Sequence, residues 1–295
     1  MENSKKTKGF TKSILLRRII LFLVAAAVFA VYVIYGNTAV TVSRYDISSE
    51  KIPPGFDGFC IVQISDLHNS KNSVKTESLI SKAASAKPDI ILLTGDMIDS
   101  YFPDVSAAMS VIKRLNEIAP VYYIIGNHEA RTGQTGTLLR QMHELGISIL
   151  NDSYAIIRAG DDEIAILGIT DPRLVNVDGD ADNASIVSES LSSLGYDYGN
   201  GMYTILLAHR PELIKSYATF GVDLVFTGHA HGGLVRLPFI GGLYAPHQGL
   251  FPDYTVGIYT VADTSMIVNK GVGNSGYSFR INDNPELVVT TLHAG

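Results

Sequence analysis

Five short apolar runs, each stopping at a residue able to bind metal, constrain this chain more than any other feature. Phe59–Ile64 runs into Asp66-Leu67-His68, and Ile90–Leu93 is followed by Thr94-Gly95-Asp96. Val121–Ile125 delivers Asn127-His128-Glu129, Tyr203–Leu207 delivers His209, and Leu224–Phe226 delivers His229-Ala230-His231. The runs have strand length and read as buried strands. Helix-like spacing separates the first three, with Leu79, Ile80, Ala83 and Ala84 in one interval and Val105, Ala108, Met109, Ile112 and Leu115 in the next. Alternating strands and helices predict βαβ units and a mainly parallel sheet. The carboxyl ends of such strands share one edge, where ligands bind. A hairpin about Gly160-Asp161 and successive strands at Thr255–Val261, Met266–Lys270 and Leu287–Leu292 have a different texture, and the body reads as one domain holding two sheets.

Five of the eight histidines (68, 128, 209, 229 and 231) fall at these strand ends, with Asp66, Asp96 and Asn127 beside them. Any one of them alone reads as a solvated or structural residue; five at equivalent positions do not. His143, His247 and His293 keep the structural reading. The single cysteine, Cys60, excludes a disulfide framework and a thiolate zinc site. Oxygen and imidazole ligands without thiolate suit Mn, Fe, Zn or Mg. Eight candidate groups exceed what one tetrahedral ion takes and match two ions sharing a bridge. Two ions about 3.5–4 Å apart can clamp the attacking and leaving oxygens of a displacement at phosphorus, and a hydroxide between them is nucleophilic near neutral pH.

Asp66-x-His68, Gly95-Asp96, Gly126-Asn127-His128-Glu129, His209 and Gly228-His229-x-His231 resemble, in order and approximate spacing, the five motifs of the calcineurin-like metallophosphoesterases. The resemblance runs from about residue 59 to the C-terminus, and as a set the motifs are specific; no ligand position is missing. The apolar stem and Gly228-His-Ala-His-Gly-Gly look most like the small bacterial membrane-associated branch. The resemblance implies a four-layer αββα sandwich and a dinuclear site. Asp66, His68 and His231 would hold one divalent ion, Asn127, His209 and His229 the other, and Asp96 would bridge them. His128 would act as general acid on the leaving oxygen or stabilise the phosphoryl charge.

Residues 1–18 carry six cations against one acid, and Ile19–Tyr35 is apolar or Tyr throughout, with no charge before Arg44. About 20 such residues cross a bilayer. The chain therefore reads as a basic cytoplasmic tail (1–18), a transmembrane anchor (19–43), a connector (44–58) and a metallophosphoesterase domain (59–295). A cleavable signal peptide is the alternative, given Ala25, Ala26, Ala27 and Ala30, although secretory apolar regions are usually shorter, about 7–15 residues. Arg17-Arg18 also admits a weak twin-arginine export reading. The positive-inside rule puts the body outside the cytoplasm, in a single-pass protein of the cell membrane.

The remaining 277 residues hold 17 basic and 28 acidic residues, a net of −11. Such a body repels polyanions, which disfavours nucleic acid as a partner. The expected substrate is a phosphoester, mono- or diester, and the anchored site suggests a lipid-linked or cell-envelope phosphate. A nuclease or cyclic-nucleotide phosphodiesterase is the alternative within the class, and a non-catalytic metal-binding scaffold the alternative outside it.

Gly271-Val-Gly-Asn-Ser-Gly276 fits a dinucleotide-binding pattern but lacks the helix and acid that should follow, so a glycine-rich turn near the metal site is expected. Arg131, Arg210 and Arg236 lie near ligand positions and could touch a substrate phosphate but read first as surface residues, and Asp99 as either a carboxylate that orients a ligand or one facing water.

Overall fold

The computed structural model describes residues 2–176, 178–179, 181–274 and 280–295. Helix α1 (Glu2–Thr38) leads into β1 (Thr41–Ser49), β2 (Cys60–Ile64), α2 (Ser73–Ala86), β3 (Ile90–Leu93), α3 (Val105–Asn116), β4 (Val121–Tyr123), α4 (Asn127–Arg131), α5 (Thr135–Glu144) and β5 (Ser148–Ile149). The chain continues through β6 (Ser153–Ala159), β7 (Asp162–Gly168), α6 (Asn183–Ser193), β8 (Thr204–Leu207), α7 (Ile214–Ala218) and β9 (Leu224–Thr227). Two small ribbons pair β10 (Arg236–Leu237) with β11 (Gly241–Gly242) and β12 (Tyr244–Ala245) with β13 (Gly249–Leu250). Strands β14 (Gly257–Val261), β15 (Thr264–Val268) and β16 (Glu286–Ala294) follow.

Local chemistry sets several of these boundaries. The Asn72 side chain accepts the Lys75 N–H at 2.9 Å and caps α2, and Asp104 does the same for α3 through the Ala107 N–H at 3.0 Å. Leu79 and Ala83 on α2, and Ala108, Val111, Ile112 and Leu115 on α3, face the core at helical spacing. Strands β3, β8 and β9 are buried at every position, which is why their sequences read as unbroken apolar runs.

Two six-stranded mixed sheets result, ordered β1-β16-β2-β3-β4-β5 and β14-β15-β9-β8-β7-β6. Ile61, Leu92 and Val288 of the first pack against Ile166, Leu207 and Phe226 of the second. Helices α2, α3 and α5 cover the outer face of the first sheet, and α6 and α7 that of the second. The fold is thus the four-layer αββα sandwich. Truncating Phe226, fully buried between the sheets, would cost about 3–5 kcal/mol.

Two sequence expectations are corrected. The span read over 19–43 and the connector read over 44–58 give way to a helix ending at Thr38 and a strand over Thr41–Ser49. That strand pairs in parallel with β16, from Thr41 against Glu286 to Ser49 against Ala294, and alternates in burial as an edge strand does. Secondly, the five metal-ended runs do not share one sheet edge. Strands β2, β3 and β4 belong to the first sheet, and β8 and β9 to the second. Face-to-face packing brings the two edges together at one end of the sandwich. Within α1, Leu15–Thr38 is 24 residues long, apolar enough to cross a membrane, and almost entirely outside the packed body.

Candidate metal centre

Each predicted site residue lies just beyond the carboxyl end of its strand, and all are buried. Asp66 and His68 follow β2, Asp96 follows β3, Asn127 and His128 open α4 after β4, His209 follows β8, and His229 and His231 follow β9. Five of these positions hold a left-handed backbone: Asp66 (φ 51°), His68 (46°), Asp96 (58°), His229 (65°) and His231 (46°). Such conformations cost about 1–3 kcal/mol each and persist where the surroundings enforce them. The enforcement is visible at Gly95 (φ 91°), where a Cβ would stand 2.8 Å from His209 Nδ1.

Two side-chain clusters span both sheets. Asp66, His68 and His231 bring ligand atoms within 4.8 Å of one another, and so do Asp96, His209 and His229. In the first, His68 Nε2 lies 3.3 Å from His231 Nε2, and Asp66 Oδ1 is 3.5 Å from His231 Nε2. In the second, His209 Nε2 is 3.1 Å from Asp96 Oδ2 and 3.1 Å from Asn127 Oδ1. Asp96 Oδ2 also lies 3.9 Å from His68 Nε2, so one carboxylate faces both clusters.

The donors fit divalent cations. Asp66 Oδ1 and His229 Nε2 are buried with no hydrogen-bond partner, a costly condition that a cation in each cluster would relieve. Burial holds His68, His229 and His231 well below the usual imidazole range, and His128, His209 and Arg280 respectively add repulsion. Neutral imidazole is the form that binds metal. His209 goes the other way: burial opposes its charge, but Asp96 raises it to about 10. Asp96 correspondingly stays ionised despite burial, chiefly through His209, and burial followed by Asp96 repulsion pushes Asp66 up to about 6 against the pull of His209.

His128 adjoins the first cluster: its ring centroid lies 4.5 Å from that of His68, and with His68 and Asp99 it forms a further group whose ligand atoms lie within 4.8 Å of one another. Its backbone N–H donates to Asp96 Oδ1 at 2.7 Å, and its Nδ1 accepts the Ser100 N–H at 2.9 Å. In the neutral ring the proton therefore sits on Nε2. His128, Asp96, Asn127, His229 and His231 line a cavity of about 260 Å³, which Arg131, read from sequence as a surface residue, also lines.

Several residues have roles here that the sequence motifs do not assign. Glu129 Oε2 accepts the N–H groups of Asp96 (2.8 Å) and Gly126 (2.9 Å), and Oε1 that of Ile98 (2.9 Å), locking the β3 and β4 loops together. Fully buried Arg280 places Nη2 3.2 Å from His231 Nδ1, and the Thr94 carbonyl lies 2.7 Å from His209 Nδ1. His247, read as structural, lines the cavity and stacks on His229 with ring centroids 5.4 Å apart. Arg210 is buried and paired with Asp171 at 2.7 and 2.9 Å, not on the surface. Arg236 donates to the Gly232 carbonyl at 2.6 Å. Asp99 is buried, its Oδ2 3.6 Å from His68 Nδ1 and 3.7 Å from His128 Nδ1. The glycine-rich turn abuts the centre: Gly271 (φ 75°) leaves room for Asp66, whose Cβ would meet an added Cβ at 2.6 Å. Ser275 and Gly276 of that motif lie outside the described residues.

The calcineurin-like phosphoesterase family model matches residues 60–233, from β2 through the second histidine of the β9 loop. The chain belongs to that family. It is 32% identical over 259 residues to the uncharacterized metallophosphoesterase YkuE of Bacillus subtilis, covering 85% of this chain and 84% of that protein. Phosphodiesterase YaeI of Escherichia coli is 28% identical over 241 residues, covering 79% of this chain and 82% of that one. A transmembrane protein with metallophosphoesterase domain from Danio rerio is 27% identical over 292 residues, 94% of this chain but 63% of its own length. This calcineurin-like phosphoesterase is thus a metal-dependent hydrolase of phosphoesters, and its family binds two divalent ions.

Proposed function

We propose that the two clusters are the two halves of a dinuclear centre. In this reading Asp66, His68 and His231 hold one ion, Asn127, His209 and His229 the other, and Asp96 is shared. The observation that carries it is the pair of unpartnered buried atoms, Asp66 Oδ1 and His229 Nε2, one in each cluster. Bound divalent ions supply Lewis-acid polarisation of phosphoryl oxygens and a water that is nucleophilic near neutral pH.

The chain's own residues do the rest. Asp96 stays ionised and joins the clusters, so the two half-sites keep a fixed separation. Glu129 holds the Asp96 and Gly126 backbones in register. His128 offers Nε2–H to the cavity because Nδ1 is engaged by Ser100, and a hydrogen bond from that atom stabilises charge on the leaving oxygen. The centre is buried, so these electrostatic contacts act at low effective dielectric.

Helix α1 anchors the enzyme, the body faces out of the cytoplasm, and the substrate is a phosphoester at or near the membrane, lipid-linked or of the cell envelope. Six cations precede the apolar stretch and none follows before Arg44, which supports this orientation. The test is to strip the full chain with chelator in detergent and reload it with Mn, Fe, Zn or Mg. Bound metal is counted, and turnover is followed on nitrophenyl phosphate and bis-nitrophenyl phosphate. Two equivalents with restored hydrolysis is the expected result; one equivalent at full activity would overturn the dinuclear reading.

A further inference from the structure

Thirteen large apolar side chains outside α1 are exposed among the described residues, and six of them fall within fifteen residues: Leu237, Phe239, Ile240, Tyr244, Leu250 and Phe251. Five lie within the two small ribbons and their turns, and Phe251 directly follows the second. Phe239 is fully exposed, and both Phe239 (φ 67°) and Phe251 (φ 54°) hold a left-handed backbone that a bulky residue rarely adopts. Apolar patches of this kind mark contact surfaces.

The position of the patch identifies what it meets. Asn282 links it to α1: its Nδ2 donates to the Arg236 carbonyl at 3.2 Å, and its Oδ1 accepts the Tyr32 hydroxyl at 3.4 Å. Asn37 fastens the same segment two residues earlier in both directions, donating to the Arg280 carbonyl at 3.0 Å and accepting the Arg280 N–H at 2.7 Å. Tyr32 lies six residues before the end of the apolar stretch at Thr38, about 9 Å along the axis. With Tyr35 it occupies the level where tyrosines sit among head groups. The ribbons begin at Arg236, so the patch starts at that same level.

We propose that Leu237–Phe251 is a second membrane contact, an interfacial surface seated in the leaflet from which α1 emerges. This rests on reading α1 as a membrane span. Tyr244, Pro246 and His247 of the same segment line the cavity beside His229 and His231, so seating the ribbons opens the metal centre toward the head-group layer. Continuity with α1 selects the bilayer over a protein partner, because the patch is tied to the helix at interface depth.

The test uses the full chain with Cys60→Ser and single cysteines replacing Phe239, Phe251, Val28 or Asp161, each carrying an environment-sensitive fluorophore. Asp161 sits in the β6–β7 turn at the opposite end of the sandwich. Circular dichroism melting checks that each labelled protein folds. Vesicles of phosphatidylcholine and phosphatidylglycerol carry nitroxides either shallow or deep in the acyl chains. Probes at 239 and 251 should be quenched by shallow nitroxides at least several-fold more than the probe at 161, and the probe at 28 by deep ones. Quenching at 28 with none at 239 and 251 overturns the proposal and spares the span. No quenching at 28 overturns the span reading and the proposal with it. Excimer emission from pyrene placed at 239, without lipid quenching, assigns the patch to a second copy and also overturns it.

Discussion

Asp66 and His231 reach one cluster from different sheets, each on a left-handed backbone, so neither can be replaced by a neighbour moving over. Asp66→Ala or His231→Ala should lose one metal equivalent and lower hydrolysis at least about a hundredfold, the scale of losing a main electrostatic element. Elemental analysis beside a phosphoester assay reads both; normal metal content with near-normal turnover would remove these residues from the centre. His128→Ala should keep both metals and lose more on alkyl than on nitrophenyl phosphoesters, because an alkoxide depends more on a donor at Nε2. Comparing kcat/KM for the two leaving groups decides it, and an equal loss on both would assign His128 to the phosphoryl oxygens. The seven candidate ligands and His128 were legible because a strand end is a local feature: an apolar run, then the side chain. Arg280 and His247 were not, and Glu129 stands in its motif without a role, since each acts on a group brought near only by folding. Arg210 was misread for the same reason; its partner Asp171 is 39 residues away.

Helix α2 carries a charge into the interior. Lys75 Nζ donates to the Val272 carbonyl at 3.0 Å, and burial, with repulsion from Arg280, pushes its ammonium down to about 8 from the ordinary 10.5. Between these values the unfolded chain binds more protons, so this group makes stability rise with pH there; below about pH 8 the folded state bears the full cost. Lys75→Met should therefore raise the urea midpoint at about pH 7, with the gain fading toward about pH 10.5. A gain independent of pH would point to packing instead. Strand β1 supports a second prediction, because it ties α1 to the body along nine residue pairs. A chain beginning at Thr41 should melt at least about 5 °C above one beginning at Lys51, which would leave β16 as a bare edge. Equal melting temperatures would make β1 an ornament of the sheet. The strands and helices themselves were largely legible from apolar periodicity. The β1 pairing and the division of five runs between two sheets were not, since pairing is decided by contacts across hundreds of residues.

For the molecule as a whole, orientation is the open arrangement. Protease added to intact cells or spheroplasts should digest the body; protection until lysis would reverse the assignment. Each cluster draws on both sheets, so a bound ion joins the halves of the sandwich and its stability becomes linked to metal activity. The place of β16 has a further consequence in time. It lies between β1 and β2, yet it is synthesised more than 200 residues after β2. Until it arrives β2 is an open edge and β1 has no neighbour, because the sheet's first two pairings both run through β16. Closing that edge is a long-range event, slow by the usual relation between contact separation and folding rate. On the proposed orientation, the first sheet of a nascent chain would therefore close only once its final strand had followed the body across the bilayer.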